Sequence, residues 1–90
     1  MIKGNPFLSE ESIELLIDNK EIILYNDDVN TFDFVINTLI ELCGHDSIQA
    51  EQCAFIVHFS GKCAVKSGDF EEIRPIYQEM INRKLSVEIK

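Results

Sequence analysis

At 90 residues, with 46% hydrophobic and 27% charged residues, the chain has the composition of one folded domain rather than of a disordered segment. A domain of this size buries only about 60–65% of its unfolded surface, so it has room for a surface pocket but not for a large enclosed active site. Sixteen acidic against eight basic residues give a formal charge of −8; this excludes a nucleic-acid interface built on clustered Lys and Arg, and suits solubility or a basic protein partner.

Residues 1–20 read as a flexible N-terminal extension. Gly4-Asn5-Pro6 punctuates it, and Glu10, Glu11, Glu14 and Asp18 leave little apolar surface to offset the entropy of ordering. The segment Met1 to Pro6 carries no signal-peptide pattern, and no apolar run approaches a membrane span. A cytoplasmic protein without a membrane partner is the expectation.

A single domain is expected over residues 21–90. Glu21 to Tyr25 is apolar, β-branched and nearly continuous, the pattern of a central strand. The polar corner Asn26-Asp27-Asp28 follows without a spacer. Asn30 is expected to cap a first helix, with Asp33 complementing its amide end, Val35, Ile36, Leu39, Ile40 and Cys43 at helical spacing, and Gly44 as the stop. Asp46 opens a second helix, with Gln49 three residues on. That helix runs to about Phe59 and is apolar on most of its girth, which predicts cover on more than one side. Gly61 ends it, and Lys62 to Lys66 alternates as a half-buried strand does.

Asp69-Phe70-Glu71-Glu72 starts a third helix with its apolar stripe at Ile73, Ile76, Tyr77, Met80 and Ile81. Pro75 lacks the amide that would bond back to residue 71, which predicts a kink or a late start. Leu85 to Ile89 alternates and forms the last strand. The order is β-α-α-β-α-β. The expected fold is an α+β sandwich, a three-stranded antiparallel sheet covered on one face by three helices. The two-helix connection should bring the end of the first strand beside the end of the second helix, where His58 is the ionisable group of the last two turns.

A neutral imidazole nitrogen at His58, an amide oxygen at Asn26 and a carboxylate at Asp27 would make three acceptors, matching the three donors and positive charge of a primary ammonium. Capture of a peptide's N-terminal amine is one reading. Ordinary turn acids at a capped helix start are the other, since Asn and Asp favour turns for local reasons. Binding by such a clamp should fall on both sides of neutrality, because deprotonating the amine removes the cation and protonating the imidazole removes an acceptor. Loss of Asp27 or His58 should cost about 2 kcal/mol or more of binding, and far less in stability.

Rival chemistries fit less well. Asp27, Asp28, His45 and His58 lack metal-ligand spacing, so neither a metal nor another cofactor is expected. Adjacent Asp side chains on an extended chain point apart and do not share a substrate atom, and Cys53 or Cys63 with His58 lacks a strained-turn motif, so catalysis is not expected. Cys43, Cys53 and Cys63, with no CxxC pair, read as core thiols, and His45 as a loop cation after a helix end.

Ile23-Leu24-Tyr25-Asn26-Asp27-Asp28, Phe34-Val35-Ile36, Ala50-Glu51-Gln52, Val57-His58-Phe59 and Gly61-Lys62 together resemble the ClpS family, from about residue 21 to residue 90. The family consists of adaptors that deliver N-degron substrates to a Hsp100 unfoldase of the Clp protease. The resemblance implies that Asn26, Asp27 and His58 take the substrate's α-amino group. It implies a pocket for a bulky hydrophobic first side chain lined by Asn30, Phe32, Val35, Ala54, Val57 and Leu85. It also implies contact with the N-terminal domain of the unfoldase. Phe32 and Ala54 depart from the family, which often has Met at both positions. The ribosomal stalk protein's C-terminal domain has a similar fold. A structural interaction domain of that kind, without the Asn-Asp-Asp and His set, is the alternative class.

Overall fold

The computed structural model describes residues 19–90. Most of the expected flexible extension therefore lies outside the described residues. The domain is ordered one residue earlier than expected, because β1 spans Lys20–Tyr25. It is followed by α1 (Phe32–Cys43), α2 (Ser47–Ser60), β2 (Lys62–Gly68), α3 (Phe70–Asn82) and β3 (Val87–Ile89). The strand order is β2-β1-β3 and both pairings are antiparallel, so β1 is central as its sequence predicts.

Alternation decides which face of the sheet is covered. Ile22 and Leu24, two apart on β1, are fully buried against Leu39 of α1, Val57 of α2, and Ile73 and Met80 of α3, while Ile23 and Tyr25 on the opposite face are only half-buried. The near-continuous apolar run of β1 thus reflects its central position, not cover on both faces.

The register skips a residue where Ile22 faces Lys66 and Ile23 faces Ala64, so Val65 forms a bulge. His45 answers it. The residue is buried at 7% exposure, and its Nε2–H donates to the Val65 carbonyl at 2.7 Å. His45 is therefore not an ordinary exposed loop residue as expected: a helix-ending Gly44 in the left-handed conformation turns the chain inward and buries the ring against β2.

Three further expectations change. Thr31, not Asn30, caps α1, its Oγ1 accepting from Phe34 N–H at 3.1 Å, because the helix begins at Phe32 and Thr31 is the residue just before it. α3 begins at Phe70 despite Pro75, with Asp69 as its cap, so no late start occurs. β3 is two residues shorter than expected because Leu85 completes the end of α3: Leu85 N–H donates to Met80 O and Lys84 N–H to Ile81 O, a Schellman closure with Lys84 at φ 68°.

α2 is not covered on more than one side. Its buried residues are Ala50, Ala54 and Val57, a single stripe at i, i+4 and i+7, while Ile48, Phe55, Ile56 and Phe59 are exposed. A three-stranded sheet and two partner helices are too small to wrap a third helix. The apolar girth of α2 therefore leaves aromatic side chains at the surface, beside the pocket described next.

Candidate functional site

One hydrogen bond ties the end of β1 to the start of β3, and a second brings the polar corner to the end of α2. Tyr25 N–H donates to Ser86 O at 2.8 Å, and Asn26 N–H donates to Gly61 O at 2.9 Å. Gly61 is the C-cap of α2 at φ 93°, in the left-handed region that favours glycine, and its own N–H donates to Val57 O. The same backbone turn that ends α2 thus fixes Asn26 through Gly61, which follows His58 by three residues.

Around this junction lies a pocket of about 480 Å³ lined by Asn26, Asp27, Asp28, Asn30, Phe32, Val35, Ala54, Phe55, Val57, His58 and Phe59. All three residues expected to hold an amine are present, and five of the six expected to surround a first side chain. Leu85 is the exception. It is 5% exposed and borders a separate recess of about 20 Å³ together with Asn26, Asp27, Asn30, Val35 and Val57. That space is too small to admit a side chain. Leu85 therefore supports those residues from the core and does not line the larger pocket, as its place in the α3 closure against buried Met80 requires.

Asp27 is more heavily committed than its sequence suggests. Its Oδ1 accepts from Val29 N–H at 2.9 Å and Asn30 N–H at 2.8 Å, and its Oδ2 accepts from Asn30 Nδ2 at 2.7 Å and Ser86 Oγ at 3.2 Å. A carboxylate has about four lone-pair positions, and these four donors engage them. Partial burial pushes the Asp27 carboxyl up, but the bonds from the Asn30 backbone and side chain, the Val29 amide and the Ser86 hydroxyl outweigh it and hold it below the usual carboxylate range. Asp27 therefore offers the pocket a fixed negative charge more than a free acceptor. Among the three expected amine ligands, the Asn26 amide and the His58 ring are those without such commitments. The idea that Asp27 contributes little to stability does not fit these four bonds.

Asn30 links this corner to α3. Its second amide hydrogen is donated to Lys84 O at 3.0 Å, leaving the carbonyl oxygen as its remaining polar atom. The left-handed Lys84 thus turns its carbonyl toward the site.

Sequence reasoning assigned Phe55 and Phe59 to the covered girth of α2 and missed them here. The Phe32 and Phe55 ring centres are 4.9 Å apart, edge to face at 61°. Phe55 and Phe59 are 6.0 Å apart and nearly parallel at 10°. Phe59 in turn lies edge to face with His58 at 4.9 Å, which restricts the imidazole. The i, i+4 spacing of Phe55 and Phe59, flanking His58, was the available signal.

Among the described residues, no group of three or more His, Cys, Asp or Glu side chains could hold a metal ion, and no helix is long and apolar enough to cross a membrane. Burial pushes the Cys43 thiol up to about 11, away from nucleophilic use at neutral pH, and it does the same at Cys63, helped by the adjacent Cys53 thiol.

The sequence matches the family model for ATP-dependent Clp protease adaptor protein ClpS over residues 18–87, which takes in every element from β1 to α3, the first residue of β3 and every residue of the pocket. Together with the β-α-α-β-α-β order and the antiparallel sheet, this match establishes that the chain belongs to the ClpS family of Clp protease adaptors.

Proposed function

We propose that the pocket receives the free α-amino group and the bulky hydrophobic first side chain of N-degron substrates, which the protein hands to a Hsp100 Clp unfoldase in the cytoplasm. The observation that carries this reading is the union, in one pocket, of an acidic amide-bearing corner with an apolar wall. Asn26 and His58 accept hydrogen bonds from the ammonium, and the charge of Asp27 neutralises it. The pocket sits at the C-terminal end of α2, whose partial negative charge favours a cation. The first side chain lies between Phe32 and Val35 of α1 and Ala54 and Val57 of α2, over the floor that Leu85 supports. The protein acts by binding alone, with no chemical step. The N-terminal extension serves hand-over, not peptide affinity.

The deciding measurement compares a short peptide with a free N-terminal Leu or Phe against its acetylated twin. Acetylation removes the charge and two of three donors, and the affinity should drop by about thirtyfold or more, ~2 kcal/mol. Equal affinity of the two peptides would return the corner to a structural turn and favour the alternative of an interaction domain without N-degron binding.

Phe32 adds bulk to the wall where Ala54, only 3% exposed, removes it. Peptides beginning with Phe or Tyr should therefore bind at least as well as those beginning with Leu, while β-branched Ile and Val meet the rim. Ala54→Met should cost aromatic first residues at least ~1 kcal/mol by overpacking. Titration of both proteins with the same peptide panel checks this, and unchanged aromatic affinities would remove Ala54 from the wall.

A further inference from the structure

The aromatic side chains of α2 continue the pocket beyond the space that a first side chain needs. Phe32 lies within the pocket, Phe55 packs its ring against Phe32, and Phe59 stacks parallel to Phe55 at 6.0 Å. Phe59 is 76% exposed and occupies the rim next to His58. These rings form one continuous strip from the interior of the pocket to open surface. Ile48 and Ile56, the other exposed apolar residues of α2, do not line the pocket.

We infer that the Phe55–Phe59 strip is a second subsite, for an apolar or aromatic side chain at position two or three of the peptide whose amine occupies the pocket. The inference rests on the reading of the pocket proposed above. The occupant follows from continuity and reach. A peptide held by its amine at Asn26 and His58 must leave across the rim, and an extended chain advances about 3.4 Å per residue. Its second and third side chains are thus about 3–7 Å further along. The Phe59 ring is 4.9 Å from the His58 ring, within that reach. Two parallel, exposed rings offer a flat apolar face with no polar atom of their own, so they reward an aromatic or branched apolar side chain and give nothing to Ser or Asp. The corner, the wall and the strip together read more of the substrate than its first residue.

The test uses the full chain and four peptides sharing one polar tail: Leu-Ser-Ser, its acetylated form, Leu-Phe-Ser and Leu-Ser-Phe. The expected result is a roughly three- to tenfold gain for one of the two Phe peptides over Leu-Ser-Ser, the range that one aromatic contact supplies. The gain is read as a ratio within each protein, so a change in absolute affinity does not obscure it. Phe59→Ser and Phe55→Ser should bring the ratio toward one, and Phe59→Leu should restore part of it. Both rings are exposed, and circular dichroism of each variant verifies the fold. Leu-Ser-Ser binding no better than its acetylated form would overturn the proposed function itself. Amine-dependent binding with a ratio of one at both positions would overturn the subsite and leave that function standing. A gain that survives in both Ser variants would also overturn it, by assigning the contact to a different surface.

Discussion

Asp27→Ala is expected to lower both peptide affinity and fold stability, each by about 2 kcal/mol, whereas His58→Ala lowers affinity by a similar amount and leaves stability nearly unchanged. The difference follows from what each side chain holds. The Asp27 carboxylate accepts four hydrogen bonds, from Val29 N–H, Asn30 N–H, the Asn30 amide and the Ser86 hydroxyl, and so ties the turn after β1 to the start of β3. Bonds to an ionised group contribute about 1.5–3 kcal/mol each when shielded. At this half-exposed position solvent replaces part of that, which brings the sum down to about 2 kcal/mol. His58 is exposed, touches Phe59, and makes no hydrogen bond to the rest of the described chain.

The stability effect carries a pH signature. The folded Asp27 carboxyl lies below the usual carboxylate range, so its contribution is complete above about pH 4 and disappears as pH falls through its folded value. Denaturant unfolding of wild type and Asp27→Ala should therefore differ at pH 7 and converge in strong acid. A His58→Ala protein that loses as much stability as Asp27→Ala at pH 7 would contradict the division of roles. It would mean that the His58 ring, not the Asp27 carboxylate, organises the corner.

His45→Ala should be the most destabilising of these changes, by about 3 kcal/mol, while peptide affinity stays within about twofold. The ring is buried, and its Nε2–H satisfies the Val65 carbonyl where the β1–β2 register skips a residue. Removing it leaves that carbonyl without a partner, a cost of about 1–3 kcal/mol, and opens a cavity next to Cys43 with a cost of its own. The site is spared because it lies at the Tyr25–Lys62 end of the strand pair, whereas His45 sits nearer the end where Glu21 faces Ser67. His45→Gln retains a donor and should recover part of the loss. Chemical denaturation of the three proteins reads both effects. A loss under ~1 kcal/mol in His45→Ala would show that water reaches the bulge and replaces the imidazole.

What the sequence determined by itself was everything carried by local pattern. The apolar, β-branched run of β1, the caps at Asp46 and Asp69, the left-handed stops at Gly44 and Gly61 and the stripe Ile73, Met80 of α3 each depend on residues a few positions apart, and each appears in the fold. Element order then sufficed to bring Asn26, Asp27 and His58 to one pocket, because two helices between the antiparallel strands β1 and β2 return the end of α2 to the end of β1.

The tertiary structure alone decided matters that depend on competition between distant groups. Asn30 looked like a cap, but its side chain instead joins Asp27 to Lys84 O, 54 residues away, and Thr31, next to the first helical residue, caps α1. His45 looked like a loop cation because nothing local foretells a bulge at Val65. Leu85 belonged to the floor beneath the pocket because the closure of α3 draws it into the core. The exposure of Phe55 and Phe59 depended on how much surface the rest of the domain could cover. A helix apolar all round states that it needs cover, but the area available is set by the size of the sheet and its neighbours, and here it runs out where the pocket begins.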